Sequence, residues 1–348
     1  YHAKSPYTVY CHECWWKEDW EATDYAQAYD SSRPLLDQYY ELQKKVPREA
    51  VVILNSPGGD FANHVRHSKD CYMVNLATYS ENLFYSEWII KGRDCMDCKK
   101  VNEGELLHEC VDVVNCSRSS HLQDCVDCSE CFFSYDLRGC TNCLFSSGLR
   151  SKSYHVLNKQ VSREEYEKIK KEIFNGSYKN YQGQMQKYDE LRAHSLRKYT
   201  PILNSKDCTG AYIQDSNRIK VCFDAVACED VRYSASIGTA KSGMYSYSMG
   251  WPSADFFFGS CVMRAGNNIK FSFNIVTSNN CCYCDSVITS NECIASIGTK
   301  HKEYTILNKT YSKEEYFKIK ETLEKKGELG IFPDGLFSTF AYNESAAY

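Results

Sequence analysis

Cysteine is the residue type with the most chemical capacity in this chain, and its spacing is regular. Pairs spaced C-x2-C stand at Cys11/Cys14, Cys95/Cys98, Cys125/Cys128 and Cys140/Cys143. Two thiolates at that spacing supply half of a tetrahedral zinc site, and two such pairs close one. Burial is the competing use, because a free thiol behaves as a small apolar side chain. A disulfide is the third use, since neighbouring strands about 4.8 Å apart fall within the Cα separation of about 4.4–6.8 Å that a bridge spans. Spacing alone does not choose among the three.

The wider arithmetic favours burial. Cys71, Cys95, Cys98, Cys110, Cys116, Cys125, Cys128, Cys131, Cys140 and Cys143 are all separated by multiples of three. Cys95, Cys110, Cys125 and Cys140 follow at intervals of fifteen, as do Leu107, Leu122 and Leu137, and Cys281, Cys284 and Cys293 continue the lattice 150 residues on. The segments Ala235–Thr239 and Ala295–Thr299 repeat at sixty residues, or four such intervals. A fifteen-residue rung is too short for a helical hairpin and predicts one coil of a parallel β-solenoid, with small inward side chains and stability drawn from stacking. On that reading the lattice cysteines are a structural thiol ladder.

The elements that must position these thiols are legible as a duplication. Residues 152–173 match residues 302–323 without a gap, sharing an L-N-K turn followed by an E-E-Y helix. Ser162 with Glu165 and Ser312 with Glu315 have capping-box spacing, in which hydroxyl and carboxylate each satisfy one orphan backbone N–H. Upstream, Ser32-Arg33-Pro34 opens a helix with the apolar stripe Leu35, Tyr39, Leu42 and Val46, ended by Pro47, and a strand Val51 to Leu54 follows. The expected fold is mainly β: a two-lobed parallel β-solenoid with rungs of about 15 residues, short α-helical caps and an N-terminal zinc-ribbon-like half module. The expected divisions are 1–65, an N-terminal α/β module; 66–176, a first cysteine-rich lobe; 177–204, a helical linker; 205–327, a second, less regular lobe; and 328–348, a tail.

Cys11 and Cys14 lie off the lattice, in Val9-Tyr10-Cys11-His12-Glu13-Cys14-Trp15-Trp16. They are the expected metal ligands, as half of a zinc site, and His64 and His67 near Cys71 are an alternative source of the other half. The segment Tyr7–Trp16, Ser32-Arg33-Pro34, the paired L-N-K and E-E-Y elements and Asp207-Cys208-Thr209-Gly210 resemble an uncharacterised family of cysteine-rich zinc-ribbon and solenoid proteins of candidate-phyla bacteria and large phages. The resemblance covers nearly the whole chain. It implies zinc, with C-x2-C knuckles on both sides of the repeats, and so partner ligands outside this chain segment; the start at Tyr1 rather than Met fits a longer polypeptide. It implies no established activity. The second lobe departs from the pattern, because Ala, Val or Ser often replaces Cys there.

Composition narrows the function. Forty-one basic and forty-five acidic residues give a net charge of −4, which supplies no electrostatic footprint for nucleic acid. The repeated lysines Lys168, Lys170, Lys171, Lys318 and Lys320 are balanced by Glu164, Glu165, Glu314 and Glu315. No apolar run is long enough to span a bilayer. Asn55-Ser56-Pro57-Gly58-Gly59 and Ser248-Met249-Gly250 resemble the oxyanion turn and nucleophile segment of Clp-type serine peptidases, but they stand too far apart, with the cysteine lattice between them. The expected protein is not an enzyme but a structural or protein-interaction protein, using its 27 tyrosines and 16 phenylalanines as amphipathic contact area. The same rings could instead stack along successive rungs. The alternatives are a zinc-ribbon accessory protein that binds nucleic acid and, remotely, a serine hydrolase. The partner is another protein or a copy of the chain. Reduced thiols would place it in the cytoplasm and oxidised ones on a virion or cell surface; the sequons at Asn115, Asn175, Asn308 and Asn343 do not decide.

Overall fold

The structure, a computed structural model, describes residues 6–17, 19–249 and 254–330. It is mainly β, with parallel strand ladders and, among the described residues, five α-helices. The chain divides into two compact units: a continuous one, Val51–Arg197, and a composite one made of Tyr1–Ala50 and Lys198–Tyr348.

In the continuous unit every strand pairs in parallel with the strand twelve residues on, from Ile53↔Val65 through Lys99↔Val111 to Thr141↔Ser153. From Asn63 to Val114 each twelve-residue repeat holds two four-residue strands, such as Arg93–Met96 and Lys99–Asn102, and each extends its own ladder; beyond them the two ladders meet in the seven-residue strand Ser117–Gln123. Every third side chain is buried, as in Cys95, Cys98, Val101, Leu107, Cys110, Val113 and Cys116, so four columns of side chains line the interior. The residue before each inward one takes a positive φ, as at Asp94, Asp97, Asp112, Asn115, Asp124 and Asp127, where φ lies between 51° and 55°. Asn and Asp enter the left-handed region more readily than other side chains, which accounts for their recurrence at these corners.

The fifteen-residue rung is therefore corrected to twelve. The triplet spacing holds, but a step of fifteen is one repeat plus one triplet. Cys95, Cys110, Cys125 and Cys140 thus occupy four successive columns rather than one; the register instead stacks Cys95 on Leu107 and Cys131 on Cys143.

Small polar residues fit this interior because the corners offer them partners. The Ser68 hydroxyl donates to Arg66 O at 2.8 Å and accepts from the Ser80 N–H at 3.0 Å, and Ser80 repeats the arrangement with Thr78 O and the Gly92 N–H. Ser134 and Ser146 do the same further along. The thiols reach the same carbonyl two residues back: Cys98 to Met96 O at 3.2 Å, Cys128 to Val126 O at 3.2 Å and Cys131 to Ser129 O at 3.3 Å. Serine and cysteine are two solutions to one requirement, a small side chain with a donor.

Both ladders end in the same device. Ser153–Val156 and Glu303–Ile306 each turn back through a two-residue hairpin into an antiparallel strand, Lys159–Gln160 or Lys309–Thr310. Leu157-Asn158 and Leu307-Asn308 all have positive φ, the requirement of a type I′ turn. Each turn asparagine stands in for the next strand. The Asn158 amide exchanges bonds with Ser147 N and O at 2.8 and 2.9 Å, and the Asn308 amide with Ile297 N and O at 2.7 and 3.0 Å. This ends parallel pairing and protects the edge. A capped helix follows in each copy. Ser162 accepts from Glu165 N at 3.1 Å before helix Arg163–Ile173, and Ser312 accepts from Glu315 N at 3.3 Å before helix Lys313–Lys325, where Glu315 also accepts the Ser312 N–H. Tyr166 and Tyr316 are the buried anchors of these helices.

The composite unit is less regular. Its register starts at eleven, Ile202↔Ile213, runs at twelve, widens to fourteen at Tyr247↔Cys261 and returns to twelve. Ala235 consequently leads through Tyr247, Cys261, Phe273 and Asp285 to Ile297, so the repeat at Ala295 is not four rungs on but out of register by two. The N-terminal segment belongs to this unit. Helix Leu35–Lys45 and the residue that ends it bury Leu35, Tyr39, Leu42 and Val46 in one cluster with Tyr283, Ile294, Ile297 and Leu323. Arg48 pairs with Asp285 at 2.8 Å, and Asn308 donates to Ala22 O at 2.9 Å.

Two expected divisions shift accordingly. The strand at 51–54 opens the continuous ladder instead of closing an N-terminal module at 65, because Ile53 pairs with Val65. Helix Tyr178–His194, expected in the 177–204 linker, packs on strand Ser129–Tyr135 through Tyr188, whose hydroxyl donates to Ser134 O at 3.4 Å. The expected tail, 328–348, begins with Glu328 and the buried Leu329, and its residues from 331 lie outside the described residues.

Candidate metal sites

Cys11 caps the short helix His12–Trp16, and its Sγ accepts the Cys14 N–H at 3.3 Å. Hydrogen bonding between the two thiols holds Cys11 below the ordinary thiol range and Cys14 above it. Among the described residues these two thiols have no third ligand gathered with them: His12 Nδ1 is held by Glu49 at 2.5 Å, and His64 and His67 belong to the continuous unit. The pair supplies two of the four ligands that a structural zinc site needs.

The segment around the pair is anchored through its tryptophans. Lys300 Nζ lies 3.9, 4.5 and 5.5 Å from the ring centres of Trp15, Trp16 and Trp20 and donates to Trp15 O at 3.0 Å. Burial lowers its pKa, against the pull of Glu49. A desolvated ammonium over indole faces is a strong form of cation–π contact.

The ladder cysteines Cys95, Cys98, Cys110, Cys116, Cys125, Cys128, Cys131, Cys140, Cys143, Cys281, Cys284 and Cys293 are all buried free thiols. Several touch: Cys98 meets Cys95 and Cys110, and Cys128 meets Cys116, Cys125 and Cys131. Each of these contacts joins neighbouring positions of the lattice, and no three sulfurs close on a common point. Burial is the main cause that raises thiol pKa values to about 11 at both Cys71 and Cys228. Cys222 and Cys228 are inward as well, and the lattice missed them because the fourteen-residue step shifts its phase by two.

A different group gathers at the surface of the continuous unit. The ligand atoms of His108, Glu109 and His121 all lie within 4.8 Å of one another. His121 Nε2 is 3.0 Å from Glu109 Oε2, and His108 Nε2 is 3.8 Å from Glu109 Oε1 and 3.6 Å from Asp97 Oδ2. Tyr181, on helix Tyr178–His194, donates to Glu109 Oε1 at 3.2 Å and lies 3.1 Å from His121 Nε2. His121 is 4% exposed and stacks on Phe133 at 4.4 Å. Burial lowers its pKa to about 4, partly offset by Glu109. Sequence reasoning missed this group because it assumed fifteen-residue rungs. Glu109 and His121 are twelve apart, so the true register makes them neighbours.

The residues behind the peptidase resemblance are structural at Ser56, whose hydroxyl donates to Leu54 O and accepts the Ser68 N–H, starting the inward serine file. Gly250 lies outside the described residues. Lys170 and Lys320 are engaged by Glu130 at 2.6 Å and Glu292 at 3.0 Å. Asn308, one of the sequons, is fully buried, and Asn343 lies outside the described residues. The cysteine content and the His108–Glu109–His121 group are compatible with metal binding. The chain matches no protein-family model and no curated protein.

Proposed function

We propose that both ladders are β-solenoids of twelve-residue coils and that the chain is a structural protein without catalysis of its own, which joins other protein chains through aromatic columns on its coils. One observation carries the reading. In each unit one outward column is buried at one end and open at the other. In the continuous unit Phe133 and Phe145 are buried in one cluster with Tyr188, whereas Tyr85, Met73 and Phe61 of the same column are 52, 51 and 82% exposed. In the composite unit Phe271 and Tyr283 are buried with helix Leu35–Lys45, whereas Tyr245 and Tyr233 are 49 and 39% exposed. The file of rings runs on from its covered end in the composite unit, while in the continuous unit the open rings resume beyond Glu109 and Asp97; exposed apolar side chains grouped in this way are the form of an interaction site. The Cys11–Cys14 pair fits zinc held together with ligands from outside this segment, and the ladder thiols fit a structural role.

The simplest partner is a second copy. Sedimentation velocity over a wide concentration range tests this, on the full chain and on variants Phe61→Ser with Tyr85→Ser and Tyr233→Ser with Tyr245→Ser. The expected result is concentration-dependent association that the variants lose with unchanged far-ultraviolet circular dichroism. A monomer throughout would contradict self-assembly, and tight oligonucleotide binding with a steep salt slope would replace the reading by nucleic-acid binding.

A further inference from the structure

We propose that His108, Glu109 and His121 hold one divalent transition-metal ion, through His108 Nε2, His121 Nε2 and a carboxylate oxygen of Glu109. The donors are of the right kind, since two imidazoles and a carboxylate suit zinc and its neighbours rather than calcium or magnesium. Their separations fit as well. Ligand arms of about 2.0 Å in a tetrahedron place donor atoms about 3.3 Å apart; His121 Nε2 is 3.0 Å from Glu109 Oε2, His108 Nε2 is 3.8 Å from Glu109 Oε1, and one donor atom from each residue lies within 4.8 Å of the other two. Three protein ligands leave one position open for water or a further group.

Preorganisation supports the assignment. The His121 ring is clamped by Phe133 on one face and approached edge-on by Tyr181, with centroids 4.4 and 5.6 Å away, so Nε2 is presented in a fixed direction. His121 Nδ1 is buried without a hydrogen-bond partner, while Tyr181 and Glu109 both crowd Nε2. The polar contacts of the ring are all directed into the group. Asp97, 3.6 Å from His108 Nε2, adds a second carboxylate to the rim. His108 and Glu109 have side chains 36 and 37% exposed, which gives an ion access from solvent. The duplicated unit supplies the contrast: 150 residues on, His121 corresponds to Phe271, which stacks on Tyr283 as His121 stacks on Phe133. An apolar ring therefore satisfies the fold at this position, and the histidine exceeds what stacking needs.

The test is a Co2+ titration of the full chain carrying Cys11→Ser and Cys14→Ser, followed by visible and near-ultraviolet absorption. The expected result is saturable binding of one ion with d–d bands and no thiolate charge-transfer band. Glu109→Gln, His108→Ala and His121→Phe should each weaken binding by roughly tenfold or more. His121→Phe installs the residue of the other unit; should it fail to fold, Glu109→Gln at the half-exposed position carries the test. Absence of saturable binding, binding unchanged by Glu109→Gln and His108→Ala, or a thiolate charge-transfer signature would each overturn the assignment.

Discussion

The two units build the same outward column differently. In the composite unit Tyr233, Tyr245, Phe258, Phe271 and Tyr283 form an unbroken file of rings with centroids 5.0–5.7 Å apart. In the continuous unit the file Phe145, Phe133, His121 gives way to Glu109 and Asp97 before Tyr85 resumes it. The interior columns follow one rule in both: aliphatic and small side chains share the positions, and the hydroxyls and thiols bond to the carbonyl two residues back. What the units share is what the fold requires. Where they differ, at His108, Glu109 and His121, the continuous unit carries the three donors proposed above as a metal site.

The largest expected effect tests whether the units are energetically separate. Leu42→Ala removes a fully buried side chain from the composite unit and should cost about 2–5 kcal/mol. Hydrogen exchange should then quicken across residues 198–330 and stay unchanged across 51–197; equal loosening of both would break the division. Next comes Gly243→Val, also in the composite unit. A Cβ at Gly243 would lie 1.9 Å from the Phe257 ring, so overpacking of about 1–3 kcal/mol is expected from urea denaturation.

The caps sharpen the comparison between the duplicated ends. Ser312→Ala should destabilise more than Ser162→Ala, each within about 0.5–2 kcal/mol, because the Ser312 hydroxyl, besides accepting the Glu315 N–H, donates to Glu315 Oε2 at 2.8 Å. Equal losses in thermal denaturation would show that the hydroxyl's bond to Glu315 contributes nothing. The smallest difference is expected for buried thiols. Cys71 and Cys228, one in each unit, both have pKa values raised by burial from 9.0 to about 11. The folded state favours the neutral thiol, so their stabilising contribution is complete below about pH 9 and is lost as pH rises through about 11. Alkylation of both should be slow and similar at neutral pH, accelerating together on the alkaline side; a large difference would mean that the two interiors are not built alike.

Much of this fold is legible in the sequence, and the part that is not has a definite cause. The triplet lattice, the stripe Leu35, Tyr39, Leu42, Val46 and the caps at Ser162 and Ser312 follow from local periodicity and capping chemistry. The coil length does not, because columns three residues apart share a composition: Cys95, Cys110, Cys125 and Cys140 repeat at fifteen while lying on different columns. The same error hid the neighbour relation of Glu109 and His121. Docking of residues 6–50 on the composite ladder was also invisible, since the contacts Arg48–Asp285 and Trp15–Lys300 join residues more than two hundred positions apart, and nothing local encodes such pairs.

The twelve-residue register is the claim on which the rest depends, and zero-length carbodiimide coupling of the unmodified chain tests it most directly. Lysine and carboxylate stand one repeat apart at Lys91 and Glu103 (2.9 Å), Lys99 and Glu87 (3.2 Å) and Lys69 and Glu81 (3.7 Å) in the continuous unit, and at Lys241 and Glu229 (3.9 Å) in the composite one. Peptide mass spectrometry should find these four amide cross-links at a separation of twelve in both units. Coupling of the same lysines to carboxylates at other separations, with none of the four pairs formed, would contradict the register and the columns built on it.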